Sequence, residues 1–152
     1  SLEDRTKQHY MWAYDPDYVT DMTTEGFDPH LDLALQAGAV TQEEVDEYKS
    51  GNKTDEVTQI RHNYKGGNYA CTYGAGLKTL ARQLNISEGD ADKIHKAYWK
   101  RNWSLKKIAK DAEVKTVDGQ LWLWNPVSQL YYFLKAEKDK FSTLNQGTGR
   151  RN

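Results

Sequence analysis

The stretch Arg61-His-Asn-Tyr-Lys65-Gly-Gly-Asn-Tyr69-Ala-Cys-Thr-Tyr73-Gly74 closes a long helical pattern that Thr54 opens, with Asp55 and Glu56 against the positive end of the helix dipole. Within it Arg61, Lys65, Tyr69 and Tyr73 recur at every fourth position. At a rise of about 1.5 Å per residue, an α-helix turns that spacing into one slightly slanted stripe about 18 Å long. Two cations lead and two aromatic rings follow. This order suits a ligand with an anionic end and a flat end: guanidinium and ammonium for a polyphosphate, phenol rings for a sugar face and a base. The same spacing equally suits a structural helix, with the aromatics in the core and the cations snorkelling at its edge. Gly66 and Gly67 fall inside the helix, where two glycines cost about 2 kcal/mol relative to alanine. Either the helix bends there or a neighbour comes close to its backbone.

Outward from this helix the periodicity stays helical, and the expected fold is mainly α with a small β-hairpin. Leu2, Tyr10, Met11 and Tyr14 share a face of a first helix that Asp15-Pro16 ends. Pro29 suits the first turn of a short helix through Leu31, Leu33, Ala34 and Leu35, stopped by Gly38. Thr41 and Glu44 form a capping-box pattern for a helix through Val45 and Tyr48, closed by Ser50-Gly51-Asn52. Leu77, Leu80, Ala81 and Leu84 mark the next helix. Ser87 opens another with Ala91, Ile94, Ala97 and Tyr98 on its inner face, and Leu105, Ile108 and Ala112 mark a last one. Asp118-Gly119 between Val114–Val117 and Gln120–Trp124 is a two-residue hairpin signature, and Asn125-Pro126 ends the second strand. The stretch from Leu130 to Gly147 carries no decisive period. No repeat or linker divides the chain, so a single domain over 1–152 is expected.

Composition narrows the function classes. With 152 residues, 38% hydrophobic, five Trp and ten Tyr, the chain has a modest core and is unlike a disordered polymer. No run approaches the roughly 18 apolar residues of a membrane helix and no secretory pattern opens the chain, so the expected location is a bacterial or host cytoplasm, without a membrane partner. Cys71 stands alone, which excludes an intrachain disulfide and a thiolate metal cluster. The net charge of -1 hides a split: residues 1–56 balance at -10 and residues 57–152 at +9. The second part can offer a basic surface to a polyanion, or simply coat solvated helices with charge.

Arg61, Lys65, Tyr69 and Tyr73-Gly74 also match a pattern of Arg, three residues, Lys, three residues, Phe or Tyr, three residues, Tyr-Gly. In this the chain resembles the fingers helix of family A DNA polymerases, the bacterial polymerase I and bacteriophage replicative type. Further landmarks follow in the family's order. Ser1-Leu-Glu3-Asp-Arg5 is similar to the tail of the first palm motif, and Asp28-Pro-His30 to the Asp-X-His before the fingers helix. Leu80-Ala-Arg-Gln-Leu-Asn-Ile86 resembles a string that follows the motif, Thr116-Val-Asp-Gly119 loosely matches a Thr-X-X-Gly turn, and Asn145-Gln146-Gly-Thr-Gly149 resembles the family's Gln-Gly-Thr helix. Fingers with palm edge segments near 1–14 and 114–152 are what the resemblance implies.

Roles follow from the match. The resemblance makes Lys65 the catalytic group, binding the phosphates of an incoming dNTP and stabilising the charge of departing pyrophosphate. Arg61 would hold the terminal phosphate and His30 would add a third phosphate contact. Tyr69 would pack near the sugar's 3′ carbon, the Tyr form being associated with acceptance of nucleotides lacking the 3′ hydroxyl. Tyr73 would stack near the template base and pair with Glu3, which would cover the 2′ position; Gln146 would approach the minor groove of primer-template DNA. The family's reaction needs Mg²⁺ held by carboxylates of an opening palm Asp and of a His-Asp-Glu turn, and no His-Asp-Glu tripeptide occurs here. No metal ligand is therefore expected within the chain, which would need the remainder of the polymerase, in the same or a separate chain, to be active. Two other functions fit the residues: a non-catalytic nucleic-acid-binding or interaction module on the same scaffold, and a helical structural protein whose Arg61 and Lys65 are buried or paired with acids of the chain.

Overall fold

A computed structural model of the chain describes residues 8, 11–125 and 130–134. Glu3, Gln146, most of the expected first helix and the charged stretch after Leu134 fall outside these residues. Seven helices and three strands follow one another, so the chain is mainly helical with a small antiparallel sheet.

Local chemistry accounts for where the elements start. Ahead of the first complete helix, the Asp15 N–H donates to the Met11 carbonyl at 2.7 Å and closes a helical turn. Its carboxylate then accepts the Tyr18 N–H at 3.3 Å, with Pro16 in the first helical position, and α1 (Pro16–Thr23) begins. Asp15-Pro16 thus starts a helix as well as ending one, which the sequence reading did not anticipate. Asp28 caps α2 (Pro29–Gln36), and Gly38 at φ 76° ends it. Both halves of the capping box form ahead of α3 (Gln42–Ser50): the Glu44 N–H donates to Thr41 Oγ1 at 3.2 Å and the Thr41 N–H to Glu44 Oε1 at 3.0 Å. Thr54 accepts the Val57 N–H at 3.3 Å at the head of α4 (Asp55–Thr72). The remaining helices are α5 (Leu77–Leu84), α6 (Glu88–Arg101), with Ser87 Oγ accepting the Asp90 N–H, and α7 (Trp103–Asp111).

These elements fall into two interleaved compact units, without the Gly- or Ser-rich junction that composition could reveal. One unit runs over residues 24–71 and 75–101. It packs α2 to α6 around Leu31, Leu33, Val45, Val57, Tyr64, Leu80, Ile94 and Tyr98. The two glycines of α4 sit where its neighbours press closest. A Cβ on Gly66 would run into Leu84 Cδ2 of α5, and one on Gly67 into Ile94 Cγ2 of α6. Of the two explanations for the pair, close approach is the one observed.

The other unit holds the described residues up to Thr23, residues 72–74 and those from Asn102 onward. Met11, Tyr18, Leu105, Ile108 and Leu123 are its large buried apolar side chains. The Tyr14 hydroxyl donates to Asp111 Oδ2 at 3.2 Å, tying the N-terminal turn to the end of α7. β1 (Val114–Val117) and β2 (Gln120–Asn125) form the expected hairpin, with Val117 opposite Gln120. Asp118 and Gly119 both take positive φ, 51° and 78°, as the tight primed turn requires. β3 (Leu130–Leu134) then pairs antiparallel with β2, so the β element is a three-stranded sheet in the order β1-β2-β3 rather than a hairpin alone. Among the described residues no helix is long and apolar enough to cross a membrane.

Candidate functional site

The α4 stripe is best defined for Arg61, Lys65 and Tyr69, which belong to one unit and share one side of the helix. Arg61 is part-buried and Lys65 exposed. Tyr69 is part-buried, and the Lys65 ammonium lies 6.0 Å from the centre of its ring. Lys65 makes no ion pair with any described residue. Tyr73 stands one residue beyond the end of α4, is 46% exposed, and belongs to the other unit.

The start of α2 fixes the two ends of this three-residue face. Asp28 Oδ1 accepts the His30 and Leu31 N–H groups at 3.0 Å each, capping α2. Its Oδ2 accepts Arg61 Nε at 2.8 Å, across 33 positions of sequence. Burial pushes the Asp28 carboxyl up, but the bonds from Arg61 and the Leu31 N–H, with the charges of Arg61 and His30, outweigh it and hold the group below its ordinary value. An acid of the same chain thus pairs with Arg61, as the structural-helix alternative expects, while Lys65 has no such partner. The pair occupies only Nε, and the terminal amines of the guanidinium bond to no described residue.

His30 is placed differently from an exposed phosphate contact. It is 6% exposed, and Asn68 Nδ2 donates to its Nδ1 at 2.9 Å, which puts the ring proton on Nε2. Its ring meets Tyr69 edge-on, with centroids 5.9 Å apart and planes at 77°. His30 therefore backs the Tyr69 ring from inside. Asp28 and Asn68 are the residues the site reading missed. Asp28 could have been suspected from its position before Pro29, which marks it as a helix cap; nothing local in the sequence marks Asn68.

A cavity of about 280 Å³ lies elsewhere on α4, between Ile60, Asn63 and Tyr64 on that helix and Ile86, Asp90 and Ile94 beyond it. None of the expected site residues lines it, so the face with Arg61 and Lys65 is an open surface rather than a cleft. Among the described residues no three His, Cys, Asp or Glu side chains gather as a metal ion requires. The Mg²⁺ of the family's reaction thus finds no donor set here. No family model and no curated protein matches the chain.

Proposed function

We propose that this chain is the fingers portion of a DNA-directed DNA polymerase of the family A type, a nucleotidyltransferase of DNA replication in a bacterium or in a virus within its host's cytoplasm. The observation that carries the reading is the open α4 face on which Arg61, an unpaired Lys65 and Tyr69 follow one another in the order phosphate, phosphate, sugar. Lys65 supplies a positive charge with no carboxylate to compete for it, as transfer of a phosphoryl group demands where pyrophosphate leaves. Arg61, held through Nε by Asp28, keeps its terminal amines for the phosphate at the far end of a dNTP. Tyr69, propped by His30, presents a fixed ring to the sugar. In this reading His30 supports Tyr69 and reaches a phosphate only after a local shift.

Tyr73, with Glu3 and Gln146 outside the described residues, keeps its proposed part at the template base, the 2′ position and the primer-template minor groove. Because the metal donors are not among the described residues, the carboxylates that bind Mg²⁺ are proposed to come from the remainder of the polymerase. The chain alone is then inactive.

Restoration tests this. The chain is mixed with a polypeptide carrying the two carboxylate motifs, and primer extension is followed with Mg²⁺ and with chain-terminating nucleotides, which Tyr69 is expected to accept. Extension by the pair, reduced about a hundredfold or more by Lys65→Ala, is the expected outcome. Absence of both extension and association would refute it. The Arg61–Asp28 ion pair keeps one other reading in play, the non-catalytic nucleic-acid-binding module. It requires salt-sensitive DNA binding that neither Lys65→Ala nor Tyr69→Phe alters.

A further inference from the structure

Strand alternation sends Leu123 and Asn125 of β2, both fully buried, to one face of the sheet and Trp122 and Trp124 to the other. The register sets Phe133 beside Trp122 and Tyr131 beside Trp124, with Lys115 of β1 opposite Trp122 on the remaining side. The ring centroids are 6.0 Å apart in the first pair and 4.9 Å in the second. Phe133 is 57% and Tyr131 45% exposed. An antiparallel sheet that buries one face ordinarily covers the other with polar side chains, so exposed rings backed by two tryptophans mark a surface with a ligand.

The face also carries charge of one sign. Its paired positions include Lys115 and no carboxylate; Glu113, just before β1, is the acid that acts on Lys115. The Lys115 ammonium lies 5.4 Å from the centre of the Tyr131 ring, so a cation stands beside a flat π surface. Bases stack on such rings whatever their identity, and the flanking phosphates seek such a cation. A purely apolar partner would gain nothing from Lys115, and the +9 balance of residues 57–152 points the same way.

We propose that the aromatic face of the sheet, centred on Phe133, Tyr131 and Lys115, is a stacking surface for single-stranded nucleic acid. It uses none of the residues assigned to the dNTP, so the two proposals stand or fall separately.

Fluorescence anisotropy of a labelled oligo-dT against the 152-residue chain, compared with a duplex of equal length, tests this. The single strand should bind more tightly than the duplex and quench tryptophan emission. Phe133→Ala should weaken it about tenfold, whereas Phe133→Tyr, which keeps the ring, should not. Lys115→Gln alters a fully exposed side chain and leaves the fold intact; it should lower the slope of log affinity against log salt by about 0.7. Lys65→Ala should change none of these values. Binding that is absent, that prefers duplex, or that survives Phe133→Ala would overturn the proposal. So would a finding that the face joins two copies of the chain, seen as a dimer that Phe133→Ala dissolves.

Discussion

Asp28 joins α2 to α4 with one carboxylate, one oxygen capping a helix and the other on Arg61. Because its folded pKa lies below the ordinary value, the unfolded chain takes up a proton first as acid is added. The stabilisation is therefore complete above an unfolded pKa of about 3.9 and is lost as pH falls through the lower folded value. Asp28→Asn retains an acceptor for the cap but removes the charge, so urea unfolding at pH 7 should change little while the loss of stability below about pH 4 becomes shallower. Asp28→Ala removes the cap too and should cost about 1 kcal/mol or more at neutral pH. An acid limb identical in Asp28→Asn and the parent chain would show that this carboxylate does not carry the coupling.

The glycine pair in α4 separates two effects that sequence alone confounds. Alanine at either position gains about 1 kcal/mol of helix propensity. At Gly66 the obstacle is Cδ2 of Leu84, the far end of a flexible, part-buried side chain that can swing aside. At Gly67 it is Cγ2 of Ile94, a stiff β-branched side chain 3% exposed in the core. Overpacking there costs about 1–3 kcal/mol, more than the propensity returns. Thermal or urea unfolding should then find Gly66→Ala neutral or slightly stabilising and Gly67→Ala destabilised by about 1 kcal/mol. Equal effects of the two changes would mean that helix propensity, not packing, governs this turn.

Over the whole molecule, elements marked by local chemistry were legible in advance. The capping box before α3, the proline that starts α2 and the Asp118-Gly119 turn each settle backbone geometry within four residues. What escaped depended on choosing between two local meanings or on partners distant in sequence. Pro16 was taken only as a stop, because a proline that ends one helix is also a good first residue for the next. Leu130–Leu134 has β-forming residues but no turn signal before it, and its pairing with β2 comes only from the folded sheet. At the candidate site the fourfold spacing of Arg61, Lys65 and Tyr69 was readable and the exposure of each was not. Arg61 is claimed by Asp28 from 33 positions away and His30 is buried by Asn68 from 38 away, contacts with no local sequence signature.

The central claim is that the α4 face takes a nucleoside triphosphate by its phosphates and sugar. It is most directly tested by amide and side-chain NMR of the whole chain during titration with dATP. Saturable shifts concentrated at Arg61, Lys65 and Tyr69, weakened about tenfold or more by Lys65→Ala and reproduced at the two cations by pyrophosphate, are predicted. Shifts confined to other elements, or a titration that Lys65→Ala leaves unchanged, would contradict it.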